Sequence, residues 1–321
     1  LGIHVSPSGS QAQQVKILRQ HSDNYYTHIR ASTLTSEEAY CSYMQFLRPR
    51  LTYPLPCSSL TQQQCRHIQA PALAALLPKM HLNSHTSHAI VFGEPRFGGL
   101  GLPDLYTDQG YGQLKLLIGH LKLKDEIGDL ILIAISHVQI HVGSGSPFFA
   151  LPYPHYSHWI DHNWLTSIWK HNHQLHITVD VEHHWTPSLT RQYDLFLMEI
   201  FQSHNFSPAQ LRHLNNCRIF LQVLTLSDIT SADGKHILST ILKGERLLER
   251  PSTLHWPRQE CPTESAWDLW RLALNHISTK SKLSKPLGPW TGPPHQNWTW
   301  YTNPDTKVVY CQITTTTWQA Y

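Results

Sequence analysis

No stretch of this chain approaches the roughly 18 consecutive apolar residues that a membrane-crossing helix needs. The most apolar run, Leu130 to Ile135, is far too short, so no membrane is expected among its partners. Cysteine is sparse and scattered: Cys41, Cys57, Cys65, Cys217, Cys261 and Cys311 include no C-x-x-C pair. That spacing argues against a disulfide scaffold and a zinc ribbon, and it fits a reducing intracellular compartment, nucleus or cytoplasm. Charge is also thin, at 15% of residues with a formal net charge of +3, so the overall balance alone does not make the chain a nucleic-acid binder. No Asp-Asp pair occurs anywhere. The first residue is Leu1 rather than Met, and the chain reads as cut from something longer.

What is present is a globular composition, 40% hydrophobic over 321 residues, enough for two domains and a real core. Residues 1–10 read as a strand followed by a Ser-Pro-Ser-Gly turn. Val15, Leu18, Tyr25, Tyr26 and Ile29 fall at helical spacing, interrupted near His21. Thr35 with Glu38 and Thr61 with Gln64 are capping boxes, in which side chains satisfy the free amides of a helix start. Pro49 is expected to help end the first of these helices, and Pro71 to kink or split the second. Tyr111, Leu114, Leu117, Ile118 and Leu121 line a further helix, and Ile127 to Val138, apolar on most sides, predicts a buried one.

The expected organisation is a helical region over 1–142, a Gly-, Pro- and His-rich linker over 143–158, a mixed α/β region over 159–250, a second linker over 251–265, and a helix plus meander over 266–321. Within the third region, His176 to Val181 and Arg218 to Leu226 read as strands. At the end, Trp298-Thr-Trp-Tyr, Val308-Val-Tyr-Cys and Thr316-Thr-Trp form three β-rich runs, predicting a small antiparallel meander. The fold class is therefore mainly α, with a mixed α/β C-terminal half and a terminal β meander.

Three motifs in order carry a family resemblance. Leu1-Gly2-Ile3-His4-Val5-Ser6-Pro7-Ser8-Gly9 is similar to the strand and turn joining palm to thumb in non-LTR (LINE-like) retroelement reverse transcriptases. Arg48-Pro49-Arg50-Leu51-Thr52-Tyr53-Pro54 resembles the stretch after that family's first thumb helices. Val91-Phe92-Gly93-Glu94-Pro95-Arg96-Phe97-Gly98-Gly99-Leu100-Gly101-Leu102-Pro103-Asp104-Leu105 resembles its P-x-x-GGLGL-x-DL signature downstream of the palm. Together they cover about the first 120 residues. The Cys217–Gly234 and Pro257–Trp290 segments look like the tails of related retroelement polyproteins. The resemblance implies a thumb-like domain over 1–142 that grips a template–primer duplex, RNA–DNA or DNA, independently of sequence.

The family's polymerase needs a Tyr-x-Asp-Asp motif and a further Asp to hold two Mg²⁺ ions. Without an Asp-Asp pair the catalytic palm is missing. The expectation is a fragment of an RNA-directed DNA polymerase with no catalytic residues, no metal site and no cofactor of its own, Mg²⁺ being implied only for the missing palm.

Asp and Glu are scarce over 1–90, where Asp23, Glu37 and Glu38 stand against Lys16, Arg19, Arg30, Arg48, Arg50, Arg66 and Lys79. Lys16, Arg19, Arg50, Arg66 and Arg96 are the candidate phosphate contacts, with Gly98 and Gly99 allowing close backbone approach. A tight packing turn is the alternative for the glycines, and a solvated basic face for the cations.

Other readings stay open. Trp298, Tyr310 and Trp318 resemble a WW module, with Tyr310 and Trp318 as peptide-binding residues toward a protein partner; an aromatic meander core is the plainer reading. Asp233-Gly234 resembles the first motif of an RNase H domain, without its remaining carboxylates. Asp305-Thr306-Lys307 echoes a restriction-like nuclease element, though a hairpin turn accounts for it. Among the 24 histidines, His155, His158, His162, His171, His173, His176, His183 and His184 invite zinc, but no cysteine lies near to complete a structural site.

Overall fold

The computed structural model describes residues 2–4, 6, 9–182, 184–246 and 256–289, with the backbone of 300–302, 309–312 and 318–320. Helices α1 (Ala12–Ala31), α2 (Ser36–Ser42), α3 (Arg48–Thr52), α4 (Gln62–Lys79), α5 (His88–Val91) and α6 (Leu105–Leu123) come first. Next are α7 (Glu126–Val142), α8 (Tyr153–Tyr156), α9 (Trp164–Gln174), α10 (Leu197–Ser203) and α11 (Pro208–Leu221). Short α12 (Leu226–Ile229) and α13 (Ser239–Lys243) lead to α14 (Glu264–Ile277). Strand β1 (Ser278–Thr279) pairs antiparallel with β2 (Lys282–Leu283). Strands β3 (Trp300–Thr302), β4 (Val309–Gln312) and β5 (Trp318–Ala320) form an antiparallel meander, Tyr301 opposite Tyr310 and Tyr310 opposite Ala320. The fold is mainly α, as the helical periodicities predict.

The chain divides into two compact units, Leu1–Ile131 with His162–Thr178, and Leu132–Asp161 with Val179–Tyr321. In the first, α1 and α4 lie side by side in the same direction: Arg19 meets His67 at one end, and Lys79 donates to the Ser32 carbonyl at the other. The seam is fully buried at Leu18, Ile68, Ala72 and Leu76. The expected interruption near His21 does not break α1. Ser22 falls on the buried stripe, where a small side chain lets the neighbouring helix close in. Both capping boxes form, at Thr35–Glu38 and Thr61–Gln64.

Two proline expectations are corrected. Pro49 does not end its helix: residues 43–47 widen into a π turn, Arg48 N–H reaching back to the Tyr43 carbonyl, and Pro49 sits in the first turn of α3, where its missing N–H costs nothing. Pro71 does not split α4, which runs unbroken with the ring buried on its inner face. No strand forms at the described residues 2–4, though the Ser6–Gly9 turn closes through Gly9 N–H to the Ser6 carbonyl at 2.9 Å.

The second unit departs further from its sequence reading. Residues 177–182 carry no strand, and Arg218 to Leu221 is the last turn of α11, ended by Gln222 in the left-handed region. The buried positions Leu211, Leu214, Arg218 and Leu221 keep a helical spacing that the β-branched residues had masked. The stretch 143–158 is packed rather than a linker: Phe148, Phe149 and Tyr156 are buried, and its prolines start short helical turns. Helix α7, expected to be buried, is so only in its second half. Ile127, Leu130 and Ile133 are each more than half exposed, because the apolar residues circle the helix while packing covers its far end alone.

Among the described residues, Arg218 is the most deeply buried cation. Its guanidinium donates to the carbonyls of His141 at 3.2 Å and Val223 at 3.3 Å, to the Ile140 carbonyl, and to Asn215 Oδ1. Ile140 and His141 end α7, so the planar fork caps a helix terminus whose carbonyls lack helical partners. Burial pulls the Arg218 pKa down to about 9, still protonated at neutral pH.

Candidate nucleic-acid interface

The candidate phosphate contacts separate into held and unheld cations. A proline at position 71 cannot donate to the carbonyl four residues back, so the His67 oxygen loses its helical partner. Arg19 supplies the missing donor: its Nη1 bonds the His67 carbonyl, while Asp23 one turn along α1 grips its Nε at 3.0 Å. Arg19 thus repairs the α4 backbone. Arg96 is also occupied, 2.7 Å from Glu94 and stacked on the Phe97 ring at 4.7 Å. Arg48 pairs with Asp108 of α6 at 3.2 Å, Lys79 holds the Ser32 carbonyl, and Arg30 lies on the Tyr26 ring.

Lys16, Arg50 and Arg66 are exposed and make no hydrogen bond, ion pair or ring contact among the described residues. Lys16 is one turn before Arg19 on α1, and Arg66 is next to His67 on α4, so both stand at the end where those helices meet through Arg19. Arg50 stands apart on α3, with no contact joining it to this group.

The glycine segment closes on itself. Gly98 and Gly101 have positive φ, at 82° and 64°, which glycine tolerates without strain. Gly98 N–H goes to the Pro95 carbonyl, Gly99 N–H to Glu94, Leu100 N–H to Ile90 and Gly101 N–H to Gly93. A Cβ on Gly99 would lie 2.1 Å from the Gly93 carbonyl oxygen. The amides at Gly98 and Gly99 that a phosphate would use are therefore occupied, and the positive φ accounts for Gly98 while close backbone packing accounts for Gly99.

The remaining sequence candidates disperse. Asp233 accepts from the Ser231 hydroxyl at 2.6 Å and from Lys235 N–H, forming a turn with Gly234 at φ 71°. Of the histidines, His162 reaches the Ser59 carbonyl, His171 is buried edge-on to Tyr106, and His184 packs on Phe148. Among the described residues, no group of three or more His, Cys, Asp or Glu side chains is placed to hold a metal ion, and no helix is long and apolar enough to cross a membrane. His183, Trp298 and residues 305–307 lie outside the described residues; Tyr310 and Trp318 are described by backbone pairing alone.

Sequence reasoning missed the partners of Arg19. The signal was there: an acid four residues after an arginine, and a proline inside an otherwise strong helix. It also missed the pairing of His88 with Phe92, whose rings lie 5.4 Å apart, tilted at 47°, beside Arg66. No protein-family model, no curated protein and no solved structure matches this chain.

Proposed function

We propose that this chain is the post-palm part of a non-LTR retroelement reverse transcriptase, and that its first unit contacts nucleic acid without sequence preference. Support comes from one observation above others: Lys16 on α1 and Arg66 on α4 are exposed and make no hydrogen bond or ion pair among the described residues. Each is within a turn of the Arg19–His67 contact that joins the two helices, while Arg19 itself is bound internally. Unpaired surface cations are the groups that release counterions when a phosphate backbone approaches. The order of the three motifs supplies the family, and the missing carboxylate pair makes polymerisation the work of a partner region.

The test is fluorescence anisotropy of the whole chain with an RNA–DNA hybrid at low salt. Binding that weakens with added salt, and that the double substitution Lys16→Ala with Arg66→Ala removes, supports the reading; no binding at low salt discards it. A second reading, in which the terminal sheet docks proline-rich peptides, draws on the antiparallel pairing of β3, β4 and β5. A peptide array that Trp318→Ala leaves unchanged would end it.

A further inference from the structure

Beside Arg66 the first unit has a groove of about 330 Å³, between Arg66, His67, Ala70 and Leu73 on one side and His88 and Phe92 on the other. Its walls are largely apolar, and no carboxylate lines it. The His88 and Phe92 rings, 5.4 Å apart with their planes tilted at 47°, both line this space. Arg66 makes no hydrogen bond or ion pair among the described residues, so its charge is the one left to meet a phosphate, whereas Arg19 beside His67 is held by Asp23.

We propose that this groove receives an unpaired base, so that the chain binds single-stranded nucleic acid in preference to duplex. The inference rests on the nucleic-acid reading and deepens it. The volume is at the small end of ligand sites, the size of one base with its sugar. A phosphate alone has no use for Leu73, Ala70 and two rings. A paired base hides its faces in the stack, whereas an unpaired one offers a flat apolar surface to an aromatic ring with a cation for its phosphate, the combination that single-strand binders use. A chain of either sugar satisfies this chemistry.

The experiment uses the whole chain with an oligouridylate carrying one 2-aminopurine, and with an RNA–DNA hybrid of equal length. The single strand should bind about tenfold tighter than the hybrid, with quenching of the 2-aminopurine as it stacks. His88→Ala, at an exposed position, and Phe92→Leu, which keeps the apolar bulk, should each lower single-strand affinity about tenfold and leave hybrid affinity unchanged. If Phe92→Leu melts at a lower temperature than the wild type, His88→Ala decides. Equal affinity for the two ligands, or variants that spare the single strand or weaken both alike, overturns the groove while the nucleic-acid reading stands. A wild-type chain that binds neither ligand at low salt removes both.

Discussion

Buried glutamines hold the irregular parts of this protein. Gln109 accepts from Leu60 N–H and donates to the Leu60 carbonyl, both at 2.9 Å, pairing with it as a strand would. Gln69 donates to the Tyr43 hydroxyl and the Pro103 carbonyl, Gln113 to the Ser58 carbonyl, and Gln139 to those of Ser144 and Ser146. Gln69, Gln109 and Gln139 each bring both a donor and an acceptor to a loop that lacks a ladder of its own, while Gln113 donates only. Gln109→Leu keeps the volume but leaves two buried backbone groups unmet, at a cost of about 3 kcal/mol. Urea denaturation would register this as a lower midpoint with an unchanged slope. Arg218→Met should cost about 4 kcal/mol by stripping the end of α7 of its donor, and Arg218→Lys should not restore it, because an ammonium cannot span the same carbonyls. A lysine variant as stable as the wild type would refute the capping role.

At the scale of elements, Pro71 and Arg19 form one device on two helices. Arg19→Met should destabilise by about 1 kcal/mol, and by markedly less when Pro71→Ala gives the His67 carbonyl an amide of its own. Additive losses in the four-way comparison would mean that the guanidinium does something else. The same device shows what was legible in the sequence. Caps and apolar stripes act within a few residues, so Thr35–Glu38, Thr61–Gln64 and the outlines of α1 and α4 could be placed. Helix α6, by contrast, forms with Tyr111 and Ile118 of its apolar stripe exposed and Gln109 and Gln113 on its buried face. The role of Arg19 depends on a residue some fifty positions away, and no periodicity records it. The second unit was misread where composition and packing disagree: Arg218, polar and central, looks like a surface residue until three carbonyls surround it. The candidate site was half legible, since local counting found the basic excess but not which cations were already occupied.

At the scale of the molecule, two responses to solvent follow. On the proposed reading, binding through Lys16 and Arg66 should give a slope of about −2 for log affinity against log salt, and Arg66→Ala should make it shallower by about 1. Acid should weaken the fold. Burial, helped by the Arg218 charge, pushes the His141 pKa from 6.5 down to about 4, and burial lowers His171 and His184 as well. Below pH 6.5 the unfolded chain takes up protons that the folded chain refuses, so stability is present above that point and is lost toward pH 4. His141 alone accounts for up to about 3 kcal/mol. Thermal melting across that window should show the fall, and His141→Leu should flatten it.

The uncovered half of α7 has its own consequence. Leu130-Ile131-Leu132-Ile133-Ala134-Ile135 is a hexapeptide with no charge and no proline, rich in residues that favour extended stacking. While helical, its amides and carbonyls are satisfied along the axis, and only side chains meet water. Unwinding would turn it into a template for intermolecular β assembly, with Glu126 and Asp129 as the flanking charges that oppose it. Shelf life in concentrated solution therefore depends on how often that one stretch of helix frays.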